Sequence, residues 1–165
     1  MRRILASFAL WSLVAVLACG CASRTEVIIA VESDIASLDR ITILVIGPTG
    51  SQQSASATFG TGPASFVRTL GVTWSGGALG PFLATVTGFQ GGALVIARTA
   101  EFEFVQGQTR VLHVDLLASC RGVVCGAMQT CAEAGCRPQL VPASELEVYG
   151  GTIAPHDAGS LRDVR

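Results

Sequence analysis

Between Thr25 and Leu117 apolar residues recur at every second position, many of them β-branched or aromatic, with Gly- or Pro-containing turns at short intervals. That period belongs to strands with one buried face, and no helix of useful length fits it. Glu26 to Asp34 sets Val27, Ile29 and Val31 on one face, with Glu32 and Asp34 on the other or at the edge. Ile41 to Ile46 turns Ile41, Ile43 and Val45 inward before Gly47-Pro48-Thr49-Gly50 reverses the chain. Weaker strands are expected at Ser54 to Phe59 and at Phe66 to Trp74, where Leu70, Val72 and Trp74 share a face. Another runs from Phe82 to Phe89. Next, Leu94, Ile96, Phe102 and Phe104 alternate with Glu101 and Glu103, and Leu112, Val114 and Leu116 stand opposite His113 and Asp115. Seven strands in about 95 residues predict an all-β domain over residues 25–118, an immunoglobulin-like or transthyretin-like antiparallel β-sandwich whose strand order stays open.

Met1 to Ala18 follows a different rule. Arg2-Arg3 precedes a mainly apolar run from Ile4 to Leu17 that ends in small residues, the charged-then-apolar order of an export signal. The run is too short to span a bilayer securely, which takes about 20 apolar residues. Val16-Leu17-Ala18-Cys19 resembles the bacterial lipobox, in which a cysteine after a small residue is acylated and becomes the mature N-terminus. Cys19 is favoured for its preceding Val-Leu-Ala. Lipidation at Cys21 is the alternative, and it would leave four unmodified cysteines, an even number. Two acyl chains suffice for stable attachment, so residues 19–24 become a lipidated tether. By resemblance to bacterial lipoproteins, the lack of Asp after the cysteine implies the outer membrane.

Cys120, Cys125, Cys131 and Cys136 crowd together directly after the last predicted strand, with Gly122, Gly126 and Gly135 supplying turns. An exported chain meets an oxidising compartment, so two disulfides are the default over residues 119–137. Zinc is the rival, but the closely spaced Cys-x2-Cys pair usual in such sites is missing. Three connectivities are possible, and the interleaved one, Cys120 with Cys131 and Cys125 with Cys136, is preferred as the most compact. The run Cys-x4-Cys-Gly-x3-Thr-Cys-x4-Cys, from Cys120 through Gly126 and Thr130 to Cys136, resembles the cysteine modules closing predicted lipoproteins of myxobacterial type. That resemblance covers the lipobox, the β-rich domain and the Pro-containing tail, and implies localisation rather than activity. Residues 138–165 are expected to be largely disordered, except that the stretch through Tyr149 can lie against the sandwich.

Composition narrows the chemistry. Of 165 residues, 50% are hydrophobic and 14% charged, which excludes a disordered polyelectrolyte. Neither Lys nor Asn occurs, so there is no Schiff-base or P-loop lysine and no N-glycosylation acceptor. Met1 to Ala18 holds two of the 11 Arg and none of the 12 acids, so the remainder carries a net charge of -3. A nucleic-acid partner therefore has no electrostatic basis. His113 and Asp115 are strand-face neighbours, yet no Gly-x-Ser-x-Gly elbow or other positioned nucleophile accompanies them. His156-Asp157 falls in the tail. Gly60-x-Gly62 and Gly47-Pro48-Thr49-Gly50-Ser51 lack the further features of nucleotide loops. Glu32, Asp34 and Asp39 form the one local acidic cluster and so the sole candidate for a cation such as calcium. Trp74, Phe66, Phe82 and Phe89 are assigned mainly to the core, with an exposed carbohydrate- or peptide-binding patch as the alternative.

These observations predict a non-enzymatic, membrane-anchored lipoprotein of the cell envelope with a structural or binding role and no cofactor. Its partners would be the membrane, through the N-terminal lipid, and an envelope protein or glycan. The alternatives are a carbohydrate- or protein-binding module and a small exported hydrolase or inhibitor.

Overall fold

In the computed structural model, which describes residues 24–58 and 67–153, the alternating stretches become strands that face one another across a single apolar layer. The strands are β1 (Glu26–Ser33), β2 (Arg40–Ile46), β3 (Gln52–Thr58), β4 (Arg68–Thr73), β5 (Phe82–Gln90), β6 (Ala93–Phe102) and β7 (Thr109–Leu116). A 3-10 turn at Ala118–Cys120 leads to β8 (Gln129–Ala132), β9 (Gly135–Pro138) and the short β10 (Glu147–Val148). One sheet has the order β10-β7-β1-β4 and the other β3-β2-β5-β6, while β8 and β9 form a hairpin of their own.

The fold class is the all-β sandwich that the period-two pattern predicts. An immunoglobulin domain would place its first, second, fifth and fourth strands in one sheet and its third, sixth and seventh in the other. Here the third strand lies beside the second and the first lies between the fourth and seventh, which removes that order and leaves the other Greek-key arrangements, transthyretin-like among them. The pairing is also not wholly antiparallel. β1 and β7 run parallel, from Glu26 opposite Thr109 to Ser33 opposite Leu116. The chain therefore enters the sandwich at one pole and leaves β7 at the other.

The inward faces follow the alternation. Val27, Ile29 and Val31 meet Ile41, Ile43, Val45, Ala84 and Val86 from the opposite sheet, and Leu112, Val114 and Leu116 complete the layer. Phe102, fully buried, stacks on Phe82 at 5.8 Å between ring centroids, and Phe104 meets both rings edge-on at 4.8 and 5.6 Å. Rings of this size dominate core energetics, full burial of one adding about 1.5–3 kcal/mol and the half-buried Phe82 less. Leu94 departs from the expected pattern, being 64% exposed. Gly88 pairs with Ile96 but Phe89 pairs with Leu94, so Val95 is an extra residue in β6 and the strand changes face at this bulge.

The stretch through Tyr149 lies against the sandwich, the placement that the sequence reading allowed for it. Leu140 bridges to Glu101, Leu146 is buried within the core, and β10 pairs Glu147 with Val111 and Val148 with Arg110. Apolar side chains spaced through an otherwise polar, Pro-containing segment anchor it without a periodic signal. Residues 154–165, including His156 and Asp157, lie outside the described residues. So do Phe59, Phe66 and residues 1–23, with Cys19 and Cys21 among them.

Candidate functional site

The cysteine module begins where β7 ends. Cys120 is joined to Cys131 and Cys125 to Cys136, the interleaved connectivity, with Cα–Cα distances of 5.7 and 5.6 Å. Cys131 and Cys136 face each other across the β8–β9 hairpin, so both bridges leave the same side of it and clamp the 120–125 segment alongside. Met128 takes a positive φ of 59° before β8, and Gly135 at 106° closes the hairpin turn, a conformation that favours glycine.

The module is seated rather than dangling. Cys120 is buried among core residues, and Thr130, also buried, accepts a hydrogen bond at Oγ1 from the Thr99 amide at 3.3 Å. Gln139 and Val141 continue the seat, with Glu101 N donating to Gln139 O at 2.7 Å and Val141 N donating to Glu101 O at 2.8 Å. Beneath it lies Arg98, whose side chain is largely buried. Its Nη1 donates to the Asp115 carbonyl at 2.9 Å and lies 3.8 Å from the Asp115 carboxylate. Burial pulls the Arg98 guanidinium below its ordinary pKa, Asp115 opposes that shift and Arg137 adds to it. The outer rim of the module is apolar. Val124 is 93% exposed, with Met128, Val123 and Leu140 also exposed.

The polar residues singled out in the sequence do not converge. His113 stands between two carboxylates from other strands, with Nε2 3.1 Å from Glu147 Oε2 and Nδ1 3.8 Å from Glu32 Oε1. It ties β7 to β1 and β10, while Asp115 turns to Arg98. Glu32, Asp34 and Asp39 separate as well, which corrects the candidate cation site. Asp34 Oδ1 accepts the Ala118 amide at 2.6 Å, Asp39 Oδ2 accepts the Gly91 amide, and Glu32 faces His113. Among the described residues no group of three or more His, Cys, Asp or Glu is placed to hold a metal ion. The Asp34 and Asp39 contacts instead lash the 34–39 loop to the cysteine module and to the β5–β6 turn. Only the partner residues, distant in sequence, could have revealed this use.

The aromatic residues behave mainly as core. Trp74 is half-buried against the apolar layer with Nε1 enclosed, and Phe89 lies under the Arg40 guanidinium at 4.4 Å. A hollow of about 80 Å³ lies between β2, β3 and β4, lined by Ile41, Ile43, Ala55, Ala57 and Arg68 among others. Sites for drug-sized ligands start at about 300 Å³.

Comparison with protein-family models, with curated proteins and with solved structures finds no match to this chain. The two disulfides point to an oxidising, extracytoplasmic compartment, since cytosolic thiols are kept reduced. Among the described residues no helix is long and apolar enough to cross a membrane.

Proposed function

We propose that this chain is a lipoprotein of the cell envelope, held at the outer membrane by acylated Cys19 and acting there as a structural or binding element without catalysis. The observation that carries the reading is the spacing between the lipobox cysteine and the fold. β1 begins at Glu26, and Thr25 is already buried, its Oγ1 accepting the Gly107 amide at 2.8 Å. From Cys19 to Arg24 a fully extended chain reaches only about 17 Å. A tether that short holds the entry pole of the sandwich against the lipid surface. The parallel β1–β7 pair then sets the start of the cysteine module about 23 Å further out, by strand rise. The bound surface would be the lashed pole formed by the 34–39 loop, the β5–β6 turn and the module, with an envelope protein or glycan as partner. The resemblance to myxobacterial-type lipoproteins supports the same placement.

The test is fractionation of cells expressing the full chain, with intact mass of the product. Acylation at Cys19 predicts a processed, lipid-bearing chain in the membrane fraction, and Cys19→Ala leaves it unprocessed while Cys21→Ala changes nothing. An unmodified, soluble parent chain would overturn the proposal, and lipid lost only with Cys21→Ala would move the anchor to that residue.

A further inference from the structure

The two bridges of the cysteine module differ in what surrounds them and in what they hold. Cys120 is buried within the core and Cys131 is half-buried against it, so this inner bridge belongs to the floor on which the module sits. In the outer bridge Cys125 is half-buried and Cys136 exposed, along with every other residue of β9. A thiolate must reach a sulfur to break a disulfide, so access directs attack to the outer bridge.

The segment between Cys120 and β8 depends on that outer bond. Its backbone hydrogen bonds are all short-range. The Arg121 amide donates to Ala118 O at 3.2 Å, the Val123 amide to Cys120 O at 3.3 Å and the Gly126 amide to Gln129 Oε1 at 3.3 Å, while Gly126 O accepts the Gln129 amide at 3.2 Å. One side chain, Arg121, reaches the 34–39 loop, donating to Ser37 Oγ at 3.2 Å. Residues 122–127 are exposed apart from Cys125, and the Cys125–Cys136 bond is what ties them to β9. The two ends of the segment are held separately, Cys120 by the inner bridge and Met128 by its carbonyl, which accepts the Gln139 amide at 3.0 Å. The bonds of the Thr99, Glu101 and Val141 amides that seat the module do not involve the outer sulfurs.

We propose that Cys125–Cys136 is a site of reversible thiol–disulfide exchange with a dithiol, and that its reduction frees residues 121–127 while the inner bridge and the sandwich stay intact. A thiolate of the dithiol attacks Cys136 Sγ, the S–S bond breaks, and its electron pair leaves with Cys125 as a thiolate that takes up a proton. The second thiol of the dithiol, deprotonated in turn, attacks the dithiol sulfur of the mixed disulfide and expels Cys136 as a thiolate, which is also protonated. The protein has then gained two electrons and two protons, and the dithiol leaves as a disulfide. Because both ends of the loop remain fixed, Cys125 stays within reach of Cys136 and reoxidation closes the same bond. Opening turns Val123 and Val124 from a fixed apolar rim into a mobile one, so the redox state of one bridge sets the shape of the module's outer face. This inference does not depend on the lipid anchor.

The experiment uses the full chain, purified in detergent with its free thiols blocked and then equilibrated with increasing dithiothreitol, quenched in acid, alkylated and mapped by peptide mass. Opening the inner bridge also disturbs packed sulfurs, so Cys125 and Cys136 should be alkylated at about a tenfold lower dithiol concentration than Cys120 and Cys131. Removing the dithiol should restore Cys125–Cys136. In the half-reduced form hydrogen exchange should quicken by about tenfold at the Val123 and Gly126 amides and stay unchanged at the Thr99 and Glu101 amides. Cys125→Ser/Cys136→Ser, which needs no reductant, should show the same exchange pattern. Reduction of both bridges over one dithiol range, earlier reduction of the inner one, return to a different pairing, or faster exchange at Thr99 and Glu101 would each overturn the proposal. Resistance of both bridges to a dithiol concentration that reduces the unfolded chain would do so as well.

Discussion

Removing the two disulfides one at a time separates what a crosslink does to the unfolded chain from what its sulfurs do in the folded one. Both bridges span 11 residues, so chain entropy assigns each about 3 kcal/mol, and on that count the two losses are equal. Packing makes them unequal. Cys120 is 7% exposed within the core and Cys131 packs against it, whereas Cys136 is exposed. If each enclosed sulfur is counted like a methylene, at about 0.8 kcal/mol, Cys120→Ala/Cys131→Ala loses about 1–1.5 kcal/mol more than Cys125→Ala/Cys136→Ala. The expected totals are about 4–4.5 and about 3 kcal/mol. Urea unfolding in a Cys19→Ala/Cys21→Ser background measures them, with Trp74 as the reporter because it packs against the core. With a slope of about 1.5 kcal/mol per molar urea, the midpoints fall by about 3 M and about 2 M. Equal shifts, or a larger one for the outer bridge, would refute the packing argument. Losses for both no greater than the about 0.5 kcal/mol of an ordinary surface substitution would show that the module and the sandwich unfold independently.

Two further substitutions test the packing. A Cβ on Gly88 would stand 2.9 Å from Ile96 Cγ2 and 3.0 Å from Leu38 Cδ1, so Gly88→Ala should cost about 1–3 kcal/mol and lower the thermal midpoint by several degrees; an unchanged midpoint would show that the bulge region yields. Leu146→Ala removes a 2%-exposed side chain at a cost of about 2–5 kcal/mol, limited by how firmly the strap docks. It should speed hydrogen exchange at the Tyr149 amide, which donates to Thr109 O at 3.1 Å, and unaltered exchange there would refute the anchoring role.

What the sequence revealed was local in origin. Val27, Ile29 and Val31 announce a half-buried strand because successive side chains point to opposite faces, and the inward alternation is interrupted at the Val95 bulge, where one extra residue resets it, while Ala30 and Val111 are buried on the outer face as well. That the four clustered thiols form two bridges was legible, but which of three connectivities they adopt was a preference for the interleaved one that the spacing did not decide. Strand order was not, since nothing in Glu26–Ser33 indicates whether its neighbours lie in β2 or in β4 and β7. The uses of Asp34, Asp39 and Glu32 were hidden for the same reason, as their partners Ala118, Gly91 and His113 lie far along the chain. Leu146 was hidden by its surroundings, a single apolar anchor among polar residues having no period to detect.

The parallel pairing of the first strand with the seventh has a temporal consequence. Ser33 and Leu116, which meet through a hydrogen bond at their far ends, are 83 residues apart, so β1 lacks its central-sheet neighbour until most of the polypeptide has been made. Closing so wide a loop is slow, and the N-terminal half alone has no complete sheet in which to settle. A nascent chain of this topology stays pliable while it emerges. That delay would suit the export step that the proposed envelope location requires.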